Sequence, residues 1–204
     1  MFKKDWNGNS KSTFVQLGAN NHSEHDYEEH SFYSTDPETV RIFLKALKRD
    51  GIKLCHNLYE PAVGLGHIYD VLEEEGYNVI ATDLISRGRF QGGTDFLALE
   101  ANGNCCRDII TNPPYRLCNE FVEHAIKMVK DGQKIVMLLK IQFLEGKARR
   151  KLFDKYPPKY VYVNSERQTC YINGDMTKKM SSAACYCWFV WEKGFTGDPV
   201  IKWI

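Results

Sequence analysis

Short apolar runs alternate with amphipathic helical segments along most of this chain, and the alternation limits the folds it can adopt. Runs typical of strands occupy residues 54–59, 77–83, 108–112, 134–140, 159–164 and 183–193, with a shorter one at 94–97. Helical spacing of apolar residues lies between most of them, and Thr35-Asp36-Pro37-Glu38 predicts a further helix start. Strands that alternate with helices predict a parallel α/β sheet covered on both faces. Because no helix separates the last two runs, an antiparallel pair is expected at the end.

The length of 204 residues predicts a single domain, at 32–204, behind a polar arm at 1–31. No apolar run approaches the roughly 20 residues that span a bilayer, and the first residues lack the apolar core of a secretory signal. Seven cysteines, with no CxxC pair, predict neither a disulfide framework nor a zinc site. We therefore expect a reduced, cytoplasmic protein with no bound metal and no membrane contact.

Charge is divided unevenly along the chain. The formal net charge is +1, but residues 140–204 contain 12 basic and 6 acidic side chains, whereas residues 1–139 contain 15 basic and 20 acidic ones. The near-neutral total excludes a strongly basic nucleic-acid coat protein. The basic final third still permits a polyanionic partner, with binding modest enough to weaken when salt is added.

The first strand-to-helix turn has the residues of a cofactor site. It spans 60–66, with the sequence EPAVGLG, and Gly64 and Gly66 would let a ligand approach the backbone closely. Glu60 would repel a phosphate and attract an ammonium or a sulfonium; S-adenosylmethionine has both, and a carboxylate for the N–H groups that begin the helix. Asp83, after the next strand, could accept hydrogens from ribose hydroxyls. A turn that serves only packing is the alternative.

Residues 111–115, with the sequence TNPPY, are the most informative stretch. Two prolines cannot continue a strand, so they predict a rigid corner at the strand end, where α/β folds bind ligands. The Asn112 amide oxygen and the Pro113 carbonyl could accept both hydrogens of a planar amino group, with Tyr115 stacked on the group that bears it. Such a site would act by positioning and hydrogen bonding, without a strong base. A simple turn that closes the strand is again the alternative.

These segments together resemble class I S-adenosylmethionine-dependent methyltransferases of the amino-methylating kind, which have an (Asp/Asn)-Pro-Pro-Tyr motif. The best-known members modify the N6 amino group of adenine in DNA. The family's glycine turn matches 60–66, its aromatic-threonine segment matches 32–37, and its ribose-binding acid matches Asp83. The resemblance covers residues 31–193, and the small size is similar to that of stand-alone enzymes of phages and prophages.

The resemblance implies a doubly wound, seven-stranded, mostly parallel sheet of the Rossmann-like methyltransferase type, with an antiparallel last strand and no separate target-recognition domain. It implies S-adenosylmethionine as cofactor, and it places Asp95 and Phe96 at the cofactor adenine. Expected at the cofactor are Tyr33, Thr35, Glu60, Ala62, Gly64, Gly66, Asp83, Leu84, Asp95, Phe96 and Asn112. The expected catalytic residues are Asn112, Pro113, Pro114 and Tyr115.

The substrate stays open at this level. DNA adenine is the leading hypothesis, but enzymes that methylate a glutamine amide in release factors, and some that methylate RNA guanine, share the motif. A non-catalytic accessory protein that binds nucleic acid is a further alternative. The basic helix around 147–151 and the loop 164–182 are candidate substrate contacts, although either could be solvated surface. The loop residues singled out for this role are Arg167, Tyr171, Lys178 and Lys179.

Overall fold

A seven-stranded sheet forms the centre of the protein. The computed structural model describes residues 33–166, 171–172 and 185–204. Its strands are β1 (Tyr33–Ser34), β2 (Asn57–Glu60), β3 (Asn78–Ala81), β4 (Asp108–Thr111), β5 (Lys134–Lys140), β6 (Tyr160–Val163), β7 (Tyr171–Ile172), β8 (Tyr186–Glu192) and β9 (Val200–Trp203). The sheet has the order β3-β2-β4-β5-β8-β6-β9, and β1 and β7 form a separate antiparallel pair.

The predicted α/β architecture is confirmed. Strand β8 runs antiparallel to its neighbours β5 and β6, and the other pairings in this sheet, within the described part of the chain, are parallel. The short pair β1 and β7 was not predicted, and neither was one strand of the large sheet: β9 follows β8 and adds to the sheet beside β6. No long apolar run marks β9 in the sequence, because an edge strand is only partly buried. Val200, Ile201 and Trp203 are about half exposed or more.

Within the described residues, four α-helices cover the sheet: α1 (Pro37–Arg49), α2 (His67–Glu74), α3 (Cys118–Met128) and α4 (Lys147–Lys155). The apolar faces of α1 and α2 belong to one buried cluster and those of α3 and α4 to another, so helices pack on both faces. In the first cluster the Phe43 ring stacks on Trp188 with centroids 4.6 Å apart. The predicted start of α1 is confirmed, with Asp36 as the capping residue. No described helix is long and apolar enough to cross a membrane.

The chain reverses direction across the sheet at β2. From β2 it crosses through α2 to β3 on one side, and then returns to β4 on the other side of β2. The loops that leave the carboxyl ends of β2 and β4 therefore diverge and open a crevice between them. Such switch points are the usual ligand sites of open α/β sheets. Both sequence segments with candidate chemistry, 60–66 and 112–115, begin at this crevice.

At the amino ends of the central strands, the buried carboxylate of Asp108 connects neighbouring chain segments. The carboxylate accepts hydrogen bonds from the backbone N–H groups of Cys55 and Lys134, both at 2.7 Å, and from the Gln133 amide at 2.9 Å. Burial raises the pKa of Asp108, although these hydrogen bonds oppose the shift. The acid thus joins the segments that enter β2, β4 and β5, so the amino ends of these strands have a structural role and the carboxyl ends stay open.

Candidate active site

A cavity of about 290 Å³ lies at the carboxyl ends of β2, β3 and β4. It is walled by the glycine turn after β2, by the loop after β3, by the proline corner after β4 and by the segment that leads into α1. The structure brings many of the predicted site residues together on this wall: Thr35, Glu60, Ala62, Gly64, Asp83, Leu84, Asn112, Pro113 and Pro114. Side chains that the sequence separates by almost 80 residues therefore face one space.

The glycine turn depends on its two glycines for different reasons. Gly64 has a φ of 56°, and its N–H donates to Asp83 Oδ2 at 2.8 Å, which joins the turn to the end of β3. Gly66 has a φ of 90° and precedes α2; a Cβ atom on it would lie 2.4 Å from the Phe90 ring. Gly66 is not part of the cavity wall, so its role here is the turn and the close packing of the loop after β3.

Glu60 is a buried acid that faces the cavity. It is 1% exposed, and its Oε2 atom has no hydrogen-bond partner among the described residues. Burial raises the pKa of Glu60 well above its ordinary value; repulsion from Asp83 and Asp70 adds to the rise, and a hydrogen bond from the Tyr69 backbone opposes it. A buried carboxyl with one unsatisfied oxygen is costly unless a ligand completes it. This site therefore suits a positively charged or hydrogen-donating group.

Asp83 is held from three sides. Besides the Gly64 bond, Oδ1 accepts from the Ile85 N–H at 2.9 Å and from the Arg87 guanidinium at 3.3 Å. Arg87 also lines the cavity, and the sequence had given no sign of its position because it lies in an irregular loop. The carboxylate predicted to bind the ribose therefore also accepts a hydrogen bond from Arg87, which lines the same cavity. A ribose hydroxyl bound to Asp83 would either donate to the carboxylate alongside the Arg87 guanidinium or take the place of that guanidinium.

The proline corner is fixed by bonds on both sides. Ahead of it, Asn112 Nδ2 donates to Thr35 Oγ1 at 3.1 Å, and Thr35 is only 5% exposed. Behind it, the Pro114 carbonyl accepts the Leu117 N–H at 2.9 Å in a single 3₁₀ turn, Tyr115–Leu117, that leads directly into α3. Because the amide nitrogen of Asn112 donates to Thr35, the amide oxygen of Asn112 is directed away from Thr35.

Tyr115 is half-buried beside the cavity and is not part of its wall. Its ring centre lies 5.2 Å from the Lys140 ammonium and 6.0 Å from the centre of the Tyr186 ring. Lys140 ends β5 and Tyr186 begins β8, so the aromatic side chain stands over the next two strands of the sheet.

His67 connects two walls of the cavity. It is the first residue of α2, and its Nδ1 atom lies 3.0 Å from the Thr35 carbonyl oxygen and in close contact with Ser34 Oγ. The same segment pairs with β7 through the backbone, with Ser34 opposite Tyr171. His67 therefore holds the segment that in turn holds Asn112. The sequence signal was present, since His67 directly follows the glycine turn, but only the fold shows its partner.

Some predicted site residues lie elsewhere. Asp95 is exposed and caps the 3₁₀ turn Phe96–Ala98, and Phe96 is 2% exposed in the core against Phe121 and His124. Their assignment to the cofactor adenine stays a prediction. Tyr33 and Tyr171 are placed only as strand residues of β1 and β7. Arg167, Lys178 and Lys179 lie outside the described residues. Arg116 and Leu117 line the cavity and were not predicted.

Comparison with solved structures identifies proteins of the same fold. A proposed RNA methyltransferase from Pyrococcus horikoshii superposes with a TM-score of 0.60 at 13% identity, covering 96% of this chain and 100% of that one. The type IIG restriction endonuclease BpuSI gives 0.59 at 14% identity, covering 83% and 26%. A proposed class I S-adenosylmethionine-dependent methyltransferase from Listeria monocytogenes gives 0.54 at 16% identity, covering 94% and 70%.

Sequence comparison is silent where the fold comparison is informative. No protein-family model and no curated protein matches the chain. At these identities the structural likenesses show the fold alone, and the chain spans about a quarter of BpuSI. The predicted Rossmann-like methyltransferase sheet is confirmed by the Pyrococcus and Listeria structures. The chemistry has to be argued from the site itself.

Proposed function

We propose that this protein is an S-adenosylmethionine-dependent methyltransferase that acts on a planar amino nitrogen, namely N6 of adenine in DNA. The observation that supports it most directly is a shared cavity. The buried carboxyl of Glu60 and the Asn112-Pro113 corner face the same space, so a cationic donor and an amino acceptor could meet there. The fold is that of proteins named as methyltransferases, which supports the same reading.

The residues present fit the cofactor. When bound, S-adenosylmethionine supplies an electrophilic methyl group on a sulfonium. Glu60 offers a buried carboxyl, with an oxygen that has no hydrogen-bond partner in the described chain, and it would become a carboxylate opposite the cationic part of that molecule. Gly64 leaves the turn without a side chain at the wall, and Asp83, which lines the cavity next to Arg87, would bind the ribose hydroxyls. These are the contacts we expect to determine cofactor affinity.

The chain's own part in the reaction is to hold the amino group. The Asn112 amide oxygen and the Pro113 carbonyl accept its two hydrogens, which directs the nitrogen lone pair toward the methyl group. Tyr115 presents a ring on which the base would stack, and the Lys140 ammonium lies 5.2 Å from the centre of that ring. No residue has to act as a strong base, because the nitrogen becomes acidic once it is methylated and its proton can leave to solvent.

The choice of DNA is supported by two observations, and the alternatives are RNA and a protein glutamine. The motif segments resemble those of adenine-methylating DNA enzymes, and the fold matches about a quarter of BpuSI, a restriction endonuclease. The first alternative, RNA, is favoured by the fold likeness to the Pyrococcus protein over its whole length. Both nucleic acids present exocyclic amino groups, so the corner alone does not separate them.

The proposal is tested by binding and by transfer. Calorimetric titration with S-adenosylmethionine and with its demethylated product should show one site. Incubation with cofactor labelled in the methyl group should transfer label to DNA, with N6-methyladenine after digestion, and not to RNA or a release factor. Absence of cofactor binding would refute the methyltransferase assignment. Label in RNA or protein alone would keep the chemistry and overturn the substrate.

Thr35 gives a prediction specific to this structure. Replacing Thr35 with valine removes the hydroxyl that accepts the Asn112 hydrogen bond but keeps the shape of the side chain. One such bond contributes about 1 kcal/mol, so we expect kcat to fall about five- to tenfold, while the cofactor dissociation constant changes less than about twofold. Initial rates at saturating substrate, together with calorimetry, measure the two effects.

Thr35→Ser is the matched control, because serine keeps the acceptor and should restore most of the rate. If valine and serine lowered kcat equally, packing and not the hydrogen bond would explain the loss. If valine weakened cofactor binding and left kcat unchanged, Thr35 would belong to the cofactor site alone.

A further inference from the structure

The loop after β3 forms a tight hairpin, and its first arginine lines the cavity. The loop leaves and returns at one point, since the Gly93 N–H donates to the Leu84 carbonyl at 2.9 Å. At the tip, Arg87 and Phe90 exchange two backbone hydrogen bonds, each 3.2 Å long. The backbone of Arg87 is therefore fixed, and its side chain forms part of the cavity wall.

The second arginine of the hairpin, Arg89, holds the tip against helix α2 from outside the cavity. Its guanidinium lies over the rings of Tyr69 and Phe90, 5.3 and 4.8 Å from their centres, and pairs with Asp70. Arg89 is exposed and is not part of the cavity wall. The two arginines of one hairpin thus have different surroundings, and of the two it is Arg87 that reaches a predicted ligand-binding group.

The carboxylate of Asp83 has little acceptor capacity left for a ligand. An ionised carboxylate offers about four acceptor positions, two on each oxygen. Three of them are taken within the described chain: Oδ2 accepts from the Gly64 N–H, and Oδ1 accepts from the Ile85 N–H and the Arg87 guanidinium. The two neighbouring hydroxyls of a ribose donate two hydrogens. One of the present donors therefore has to leave Asp83 if both hydroxyls are to bind.

The guanidinium is the donor that is able to leave. Gly64 and Ile85 donate through backbone N–H groups, at 2.8 and 2.9 Å, in the turns that follow β2 and β3. The Arg87 bond is the longest of the three, at 3.3 Å, and it comes from a side chain that can rotate while its backbone stays in the hairpin. The side chains of Arg87 and Asp83 are only 15% and 10% exposed, so this ion pair is stronger than one in open solvent. Its displacement should therefore have a measurable effect on binding.

We infer that Arg87 competes with the second ribose hydroxyl for Asp83, and that it thereby sets the affinity of the site for the cofactor and its demethylated product. The inference rests on the proposed function and adds to it a residue that determines affinity. The first hydroxyl takes the remaining acceptor position, whereas the second replaces the guanidinium and so gains little. Because cofactor and product have the same ribose, the competition weakens both by the same factor and favours release of the product.

The test is the affinity of the variant Arg87→Met, measured by calorimetry. Methionine keeps an unbranched apolar side chain and removes the competing donor. A hydrogen bond to a charged group changes a dissociation constant about tenfold or more, so the constants for S-adenosylmethionine and for its demethylated product should both fall at least about tenfold. A gain confined to the cationic S-adenosylmethionine would mean that Arg87 acts through its charge alone. Unchanged or weaker binding of both would mean that it does not compete. Either result would overturn the inference.

Analogues of the product that lack one ribose hydroxyl test the competition itself. In the wild type, loss of either the 2′ or the 3′ hydroxyl should change the dissociation constant less than about twofold, because the guanidinium then keeps its place on Asp83. In Arg87→Met the same loss should weaken binding at least about tenfold, since no other donor replaces the hydroxyl. A wild-type loss of about tenfold would overturn the inference by itself, so the test does not depend on the folding of the variant.

Arg89→Met is the matched control. It removes the same charge from the same hairpin and leaves the donors to Asp83 unchanged, and methionine can still lie against the rings of Tyr69 and Phe90. Its affinity for the product should stay within about twofold of the wild type. Equal gains in Arg87→Met and Arg89→Met would mean that charge or looser packing of the hairpin explains the effect, and would overturn the role of Arg87.

Failure of this inference can be told from failure of the proposed function. If the wild type binds the cofactor and transfers methyl groups while Arg87→Met shows no gain in affinity, Arg87 is wrongly assigned and the function stands. If the wild type binds neither the cofactor nor its product, both fail.

Discussion

Replacing Asn112 with alanine is expected to lower kcat for methyl transfer about 100- to 1,000-fold, the usual cost of losing one hydrogen-bonding group that acts in the transition state. The side chain lines the cavity, and its nitrogen is held by Thr35. Alanine keeps the proline corner but removes the acceptor for the amino group. Cofactor affinity should stay within about tenfold, or 1.4 kcal/mol, and single-turnover rates with calorimetry separate the two quantities.

Asn112→Asp is the informative companion. Aspartate keeps an acceptor at the same place, and the Thr35 hydroxyl can donate to it, so more of the rate should remain than in the alanine variant. Retained turnover in Asn112→Ala, combined with lost cofactor binding, would contradict the role proposed for this residue. A rate equal in the alanine and aspartate variants would show that the amide acts through its nitrogen and Thr35, and not as an acceptor for the substrate.

The second large effect is expected at Glu60. Glu60→Gln keeps the size of the side chain and removes the charge that the cavity offers to a cationic cofactor. Losing one partner of a buried charge pair costs about 2 to 4 kcal/mol, so the dissociation constant should rise roughly 30- to 1,000-fold. Calorimetry measures this directly. An unchanged dissociation constant would refute the assignment of Glu60 to the cofactor.

Proton linkage gives an independent readout of the same residue. Burial, with repulsion from Asp83 and Asp70, raises the pKa of Glu60, so the empty cavity favours the protonated carboxyl. A bound cation favours the carboxylate instead, and a proton leaves on binding. Cofactor affinity should therefore increase with pH across the range in which Glu60 titrates. Titrations in buffers with different ionisation enthalpies should detect proton release in the wild type and none in Glu60→Gln.

The same substitution should stabilise the protein. A carboxyl whose pKa is raised by folding contributes its stability below its unfolded pKa of about 4.3, and this contribution is lost as the pH rises. Glu60→Gln should thus match the wild type near pH 4 and have the larger free energy of unfolding near neutral pH, a typical trade-off of stability against function. Urea denaturation at the two pH values is the measurement, and a destabilised variant at neutral pH would contradict this account.

Much of the fold could be read from local patterns. The alternation of apolar runs and helical spacing gave the strands β2 to β6, β8 and the helices between them, because buried strands and amphipathic helices leave periodic traces in sequence. The pattern failed at 94–97, where Asp95 caps a 3₁₀ turn in place of a strand. It also missed β9, whose edge position removes the need for a buried run.

The residues of the candidate site are likewise of two kinds: those that the sequence indicated, and those whose position only the fold showed. Glycine turns and proline corners are local backbone requirements, so Gly64, Gly66 and the Asn112–Tyr115 segment could be singled out from sequence alone. Arg87 in the cavity, His67 against Thr35, and the exposed position of Asp95 could not, because each depends on which loops meet. The placement of Phe96 in the core is of this second kind.

The sequence by itself determined the α/β class and the kinds of group at the site. These are an acid at the end of a strand, a glycine turn, and a side-chain amide beside two prolines. These follow from propensities and periodicities that act over a few residues. Only the tertiary structure decided that Thr35 holds Asn112, that Glu60 is left with an oxygen that has no hydrogen-bond partner among the described residues, and that Arg87 reaches Asp83 at the cavity wall. Those relations arise where strand order turns back at β2, and chain order alone does not specify the distance between residues that the sheet brings together.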